Sequence, residues 1–151
     1  MEDRKYVIDA SVIIDAAKLY PMSIEMFKGL WKKFEDLFED GRLISSIEIY
    51  DEVKDEDAQK WISKYKKCFL PLSEEVQKET TRILKENPKM INIEKCRKSS
   101  SNGDPFLIAT AIVNNGVIVT NEKKAENKIP NVAQKYGIES INLTDFIKEI
   151  L

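Results

Sequence analysis

Histidine is absent from this sequence of 151 residues, and cysteine occurs only twice. Without histidine the chain has no Ser-His-Asp or Cys-His catalytic group and no zinc site built from cysteine and histidine. Cys68 and Cys96 are far apart in the sequence and do not form a CxxC motif. An enzyme with this composition has to use carboxylates, lysines or a bound metal ion.

Long hydrophobic runs and a strong net charge are also lacking. No segment is apolar enough to span a bilayer and no signal peptide opens the chain, so we expect a cytoplasmic protein without a membrane partner. The formal net charge is only -2, so bulk electrostatics do not by themselves predict a nucleic-acid partner. The chain length predicts one domain covering residues 1–151 with a substantial core.

Short apolar segments alternate with amphipathic helical patterns along the chain. Strands are predicted at residues 5–9, 43–44, 117–120 and 138–141. Helices are predicted from Ser11, from Phe27 to Phe38, after Ser45 and Ser46 as possible caps through Val53, around Trp61, after Ser73, from Asp104 and after Thr144 as an N-cap. This alternation predicts an α/β fold with three layers, α/β/α, around a mainly parallel sheet of four to five short strands.

Acidic residues fall where several of these strands end. In KYVIDASVIIDAA, residues 5–17, Asp9 interrupts two apolar segments, and a buried charge is costly unless something compensates it. Glu122 follows the strand that ends at Thr120, Glu52 lies about two turns into the helix after the second strand, and Asp104 opens its own helix. Ligands of open α/β sheets bind outside the carboxyl ends of the strands, so the first three of these acids are expected near one rim, and Asp104 joins them if its helix runs towards that rim.

Each acid also has a purely structural interpretation. Asp9 and Asp104 are good helix caps, the latter because proline follows it. Glu52 belongs to an acid-rich run, and such runs usually face solvent. Glu122 in a polar loop means little alone. The possibility that all four acids meet at one place favours a functional interpretation.

The ordered motifs resemble a known family. IDAS after the first strand, GDPFLIATA at a helix start and VIVTNE at a strand end resemble the PIN-domain nucleases, and in particular VapC-like proteins, the toxins of toxin–antitoxin pairs. The resemblance covers nearly the whole chain and closes with INLTDFIKEI. It implies a ribonuclease that uses Mg²⁺ or Mn²⁺, a possible antitoxin partner and a homodimer.

The resemblance also implies which residues act. Asp9, Glu52, Asp104 and Glu122 match the acids that bind the metal and catalyse cleavage, with Glu48 as the competing assignment for the second acid. At the fourth acid the family usually has Asp, whereas this chain has Glu122. Ser11 and Thr120 match hydroxyl residues that support the acids. Several carboxylates packed together repel one another, and a divalent cation removes that penalty.

Lysines on both sides of these motifs are candidate RNA contacts. The candidates are Lys98, before Asp104, and Lys123 and Lys124, after Glu122. Beside the acids they would form a basic border able to hold phosphates, while the alternative places them on solvated loops.

Other functions remain open at this point. One is a PIN nuclease that processes RNA without being a toxin, and another is an inactive PIN-fold binding module. Phosphoacceptor folds also place Asp after the first strand, but the haloacid-dehalogenase-type phosphatases need a second Asp where this chain has Ser11. Receiver domains need their acceptor at a central strand end, whereas Asp104 begins a helix.

Overall fold

A computed structural model describes residues 4–90 and 104–151 and contains a sheet of five parallel strands. The strands are β1 (Tyr6–Ile8), β2 (Leu43–Ser46), β3 (Phe69–Leu70), β4 (Val117–Val119) and β5 (Ser140–Ile141). Their order across the sheet is β3-β2-β1-β4-β5. The predicted α/β fold is therefore confirmed, and the strand that the sequence pattern did not predict is the two-residue edge strand β3.

Eight α-helices connect and cover these strands in the described part of the chain. They are α1 (Ala10–Leu19), α2 (Lys28–Glu39), α3 (Ile47–Tyr50), α4 (Glu56–Ser63), α5 (Glu74–Glu86), α6 (Asp104–Asn114), α7 (Ile129–Lys135) and α8 (Leu143–Ile150). Several begin at the caps expected from the sequence: the side chains of Asp9, Ser46 and Ser73 accept backbone N–H groups of α1, α3 and α5.

The helices form one layer on each face of the sheet. Aromatic side chains join α2, α4 and α8 on one face, where the rings of Trp31 and Trp61 are 4.8 Å apart and those of Phe34 and Phe146 are 5.6 Å apart. On the other face α6 packs against β1 and β2 and is flanked by α5 and α7. This arrangement buries β1 completely, from Tyr6 to Ile8.

The strand order reverses between β1 and β4. Chain connections lead outward from β1 to β2 and β3 on one side, and from β4 to β5 on the other. The register pairs Ile8 with Val119, so the next residues of the two strands, Asp9 and Thr120, emerge side by side at the carboxyl edge. In open α/β sheets this reversal point is the usual place for a ligand site.

Two predicted local features are wrong. Helix α3 ends at Tyr50, so Glu52 lies in the turn beyond it and not two turns into a helix; its N–H donates to the Ile49 carbonyl at 3.0 Å. The cap of α8 is Asn142, whose side chain accepts the Asp145 N–H, while Thr144 lies inside the helix. In addition, the sequence pattern predicted only a loop leading to Ile129-Pro130, whereas the structure contains helix α7 there.

No helix in residues 4–90 or 104–151 combines the length and the apolar character that crossing a bilayer requires.

Close approach of β1 and β4 depends on Gly116. A Cβ atom at this position would lie 2.7 Å from Cγ2 of Val7, well inside van der Waals contact, and Val7 is fully buried. Because Val7 is β-branched and surrounded by core, it has little freedom to move away. Gly116 therefore allows the strand pairing that brings Asp9 beside Thr120.

We expect Gly116→Ala to lower the free energy of unfolding by about 1–3 kcal/mol, because the added methyl group overpacks the β1–β4 contact. Urea unfolding followed by circular dichroism measures this change. Gly29→Ala is the matched control: position 29 is exposed in α2 and a Cβ there meets nothing within 4 Å, so that variant should gain up to about 1 kcal/mol. Equal stability of the Gly116 variant and the wild type would contradict this account of the strand contact.

Candidate functional site

Asp9 is the buried acid at the reversal point of the sheet, with only 5% of its surface exposed. Its Oδ1 accepts the Ala10 N–H at 2.9 Å, and its Oδ2 accepts the hydroxyl groups of Ser11 and Thr120, both at 2.8 Å. The backbone N–H of Asp9 donates to the Val119 carbonyl at 2.9 Å, which fixes the residue to β4. Asp9 thus caps α1, as the structural interpretation predicted, and in addition receives a hydroxyl from a strand 111 residues away.

Burial raises the pKa of Asp9 above its ordinary value, since removing a carboxylate from water disfavours the charged form. The hydrogen bonds from Thr120, Ser11 and Ala10 oppose this rise, because they stabilise the carboxylate. The negative charge of Glu122 adds to it. Within the described residues, no lysine or arginine forms an ion pair with Asp9.

Two serines lie close to Asp9, one just after β1 and the other within β2. Ser11 lies in the first turn of α1, and its Oγ also accepts the Asn121 N–H at 3.2 Å. Ser45 is fully buried in β2 and donates to the Ile8 carbonyl at 2.6 Å, just before Asp9. The predicted supporting residues Ser11 and Thr120 therefore both contact Asp9 directly.

Glu122 is connected to Asp9 through Thr120. Its N–H donates to Thr120 Oγ1 at 3.1 Å, and its half-buried carboxylate accepts the Ile129 N–H at 2.7 Å through Oε1. This second contact satisfies a free N–H at the start of α7, where the residue before the helix, Lys128, supplies no side-chain cap. Glu122 thus has a structural contact that the sequence did not predict.

Asp104 begins α6 and is half-buried. The opposite end of this helix leads through Gly116 to Val117, whose N–H donates to the Lys5 carbonyl at the amino edge of the sheet. Because α6 packs along β1 and β2 and is about 16 Å long at 1.5 Å per residue, its first residue is directed towards the carboxyl edge. Asp104 therefore lies towards the same end of the sheet as Asp9, which was the condition for it to join the other acids.

Glu48 and Glu52 both lie just beyond β2. Glu48 is in the single turn of α3, where its N–H donates to Ser46 Oγ at 3.2 Å, and Glu52 follows that helix. Both side chains are half-buried. The fully buried Ile49 and Val53 anchor this segment beside β3 and α6, so either glutamate remains an assignment for the second acid.

A polar groove of about 450 Å³ opens beside β4 and β5 at the carboxyl edge. The predicted RNA contacts Lys123 and Lys124 line it and are exposed. Glu122, Asn142 and Asp145 also line the groove. Lys98 lies outside the described residues.

The acids do not form a closed metal cage. Across 4–90 and 104–151, no three acidic or cysteine side chains are close enough together to hold an ion. Asp9 and Glu122 interact electrostatically, while Asp104 and the two glutamates after β2 approach the same edge on separate elements.

Asn121 is a site residue that the sequence reasoning missed. Its Nδ2 donates to Asp15 Oδ2 at 2.7 Å and its Oδ1 accepts the Leu143 N–H at 2.9 Å. One side chain thus links the loop after β4 to α1 and α8. A signal existed in the sequence, since Asn121 directly follows Thr120, the residue at which the predicted strand ends.

The profile of the domain of unknown function DUF4411 matches residues 6–150 of the chain. The match covers all five strands and all eight described helices over their full length. The chain therefore belongs to the DUF4411 family. No curated protein matches it significantly.

We expect Asp9→Asn to stabilise the metal-free protein at pH 7, on the order of 1 kcal/mol, because it removes a buried charge whose cost the hydrogen bonds offset only in part. The pKa of Asp9 is raised in the folded state, so folding disfavours its ionised form; this penalty is present at neutral pH and is relieved as the pH falls through the raised pKa. The difference between the variant and the wild type should therefore shrink towards pH 4. Unfolding by urea in EDTA at several pH values measures it.

The exposed Asp40 provides the matched control, and Asp40→Asn should leave stability within about 0.5 kcal/mol at every pH. A loss of stability in Asp9→Asn at neutral pH, as large as or larger than at pH 4, would show that the charge of Asp9 is compensated within the protein.

Proposed function

We propose that this member of the DUF4411 family is a metal-dependent ribonuclease that hydrolyses phosphodiester bonds in RNA with Mg²⁺ or Mn²⁺. The proposal rests first on Asp9, a carboxylate that is almost completely buried at the reversal point of the sheet and has hydroxyl and backbone donors as its hydrogen-bond partners. A buried charge that forms no ion pair within residues 4–90 and 104–151 is costly for the fold. A function at this edge explains why the strand ends in an acid.

The donor chemistry of the site fits a hard divalent cation. Its candidate ligands are carboxylate oxygens, and the chain has no histidine to favour softer metals. Mg²⁺ keeps several waters and is usually bound by one or two carboxylates together with substrate phosphates. A complete cage of acids is therefore not required, and Asp9 with Asp104 or Glu122 is a sufficient protein contribution.

The chain's own residues would hold the reactants in place. A bound divalent cation supplies an activated water and neutralises charge on the phosphoryl oxygens. Asp9 is held by three hydrogen bonds, so its carboxylate is oriented before substrate arrives. Asp104 begins α6, which packs on the face of the sheet opposite to α2, α4 and α8. It is directed towards the same carboxyl edge as Asp9.

RNA is the substrate class that the PIN resemblance implies, and the groove beside β4 offers a place for its backbone. Lys123 and Lys124 stand immediately after Glu122 and can contact phosphates on the side of Asp9 and Thr120. Such contacts position a nucleic acid without reading its sequence. The low net charge of the whole chain makes this local pair more important for binding.

The experiment that tests the function is cleavage of a structured and an unstructured RNA by the purified protein, with Mn²⁺, with Mg²⁺ and with EDTA. We expect metal-dependent cleavage that falls at least about a hundredfold in Asp9→Asn and in Asp104→Asn, because each loses a charged oxygen ligand. The control Asp40→Asn changes an exposed acid outside these motifs, and this variant should cleave RNA like the wild type. Cleavage that persists in EDTA, or in Asp9→Asn, would contradict the mechanism.

We further expect the double change Lys123→Gln and Lys124→Gln to weaken RNA binding and to reduce the salt dependence of log Kd by roughly one to two units of slope. The value of kcat should change much less, since these lysines bind the backbone and not the reacting atoms. Fluorescence anisotropy at several salt concentrations measures the slope. Lys66 and Lys67, exposed beside β3, provide the control pair; an equal effect of both pairs would remove the groove from the binding surface.

A catalytically inactive PIN-fold binding module is the second candidate, and one observation favours it. The Glu122 carboxylate accepts a backbone N–H of α7 and is thus partly committed to structure. RNA binding without cleavage under any metal condition, by folded protein, would select this candidate over the nuclease.

The biological roles implied by the resemblance stay predictions. A toxin would co-purify with an antitoxin encoded beside it when both are expressed together, whereas an RNA-processing nuclease would be tolerated by the cell when expressed alone. Sedimentation velocity tests the expected homodimer.

A further inference from the structure

A continuous series of hydrogen bonds connects Asp9 to both α1 and α8 through Asn121. The Ser11 hydroxyl donates to Asp9 Oδ2 at 2.8 Å and accepts the Asn121 N–H at 3.2 Å. The Asn121 side chain in turn donates to Asp15 and accepts from the N–H of Leu143. Three segments far apart in the sequence are thus joined at one asparagine.

The backbone N–H of Asn121 determines how the Ser11 hydroxyl is used. A serine hydroxyl has one hydrogen to donate and can rotate freely when nothing fixes it. The Asn121 N–H can only donate and the Asp9 carboxylate can only accept, so Ser11 Oγ accepts from Asn121 while its hydrogen points at Asp9. Loss of this contact would let the Ser11 hydroxyl rotate and would leave the Asp9 carboxylate less well oriented.

The side chain of Asn121 determines where that N–H lies. Residues 120–124 form a loop without regular structure after β4, so the backbone needs an anchor. Asp15 on α1 and the N–H of Leu143 at the start of α8 hold the two ends of the Asn121 amide at 2.7 and 2.9 Å. The same anchor holds the two neighbours of Asn121. Thr120 contacts Asp9 directly, and Glu122 is connected to Asp9 through Thr120 Oγ1.

We propose that Asn121 is a positioning residue for the reaction, clamped by Asp15 and Leu143, which orients Asp9 through Ser11. The inference rests on the proposed nuclease function for its catalytic consequence, but the clamp itself can be measured in the protein without metal or RNA. Asn121 does not contact the reacting groups; it acts by fixing the donors of the carboxylate that does.

The test exchanges the two members of the clamp. Asn121→Asp places two carboxylates face to face and removes the donor between them, so the clamp opens. Asp15→Asn retains an oxygen that accepts from Asn121 and should be tolerated. In the double variant, Asn121→Asp with Asp15→Asn, the new carboxylate accepts both the Leu143 N–H and the new amide, so the clamp is restored with the original net charge.

For the single Asn121→Asp variant we expect kcat for RNA cleavage in Mn²⁺ to fall about 10- to 100-fold, with KM changed by less than about threefold. Asp15→Asn should remain within about threefold of the wild type and the double variant should recover most of the lost kcat. Wild-type kcat in Asn121→Asp, measured at a temperature where it is folded, would overturn the proposal. A double variant as impaired as the single one would also overturn it.

Backbone hydrogen exchange in the metal-free protein separates the clamp from the proposed function. Asn121→Asp should speed exchange of the amides of Ala10, Asn121 and Glu122 at least about tenfold relative to core amides, and the double variant should reverse this. If the wild type cleaves no RNA but this pattern appears, the proposed function fails and the clamp stands. If exchange at these amides is unchanged while RNA is cleaved, the clamp fails and the function stands.

Asn87→Ala is the control for a general loss of stability. Asn87 is a buried asparagine that, like the half-buried Asn121, joins two elements, through hydrogen bonds with the Ile83 carbonyl and with Tyr136 and Lys135, but it forms no hydrogen bond with the described residues of the site. It should lower the melting temperature without the loss of kcat. A comparable loss of kcat in this variant would show that the effect of Asn121→Asp is merely destabilisation.

Discussion

Parallel pairing of β1 with β4 is the constraint on which the candidate site depends. Neither strand has a charged residue of its own; the pairing of Ile8 with Val119 is what brings the next residues, Asp9 and Thr120, into hydrogen-bond contact. A shift of one residue in this register would separate them and turn every side chain of the strand to the opposite face. Gly116 permits the pairing, because any larger residue would meet Val7.

The same pairing buries the Asp9 carboxylate, which costs stability unless a bound ligand offsets the charge. The carboxylate lies between apolar strands and helices, its pKa is raised by burial, and the nearby charge of Glu122 works against it as well. Hydroxyl and backbone donors reduce this cost but do not neutralise the charge. The divalent cation that we propose would neutralise it, and it would also stabilise the fold if it bound only the native state.

Much of this architecture could be predicted from the sequence because it depends on local patterns. The apolar segments at Tyr6 and Val117 and the caps at Asp9, Ser46 and Ser73 are each determined within a few residues, and all appear in the structure. The two-residue strand β3 was missed because its hydrophobic pattern is too short to stand out. Thr144 was predicted as the cap of α8, but Asn142, two residues earlier, is an equally good cap residue and is the one that the structure uses.

The candidate site was predictable only in part, for a different reason. Asp9 stands out because a charge within an apolar segment is unusual, whereas Ser11 and Thr120 were predicted only through the PIN resemblance. Asn121 and Asp15 did not stand out, since their contact joins positions 106 residues apart and neither residue is unusual where it lies. The contact between Glu122 and the start of α7 was hidden because α7 itself was not predicted.

The most direct test of the central claim is a crystal structure of the protein grown with Mn²⁺, in which anomalous scattering locates the ion. We predict an anomalous peak within coordination distance of the Asp9 carboxylate, at the carboxyl edge between β1 and β4. This peak should be absent from Asp9→Asn crystals. Manganese bound only elsewhere, with the hydrogen bonds of Asp9 unchanged, would contradict it and make this aspartate a structural cap.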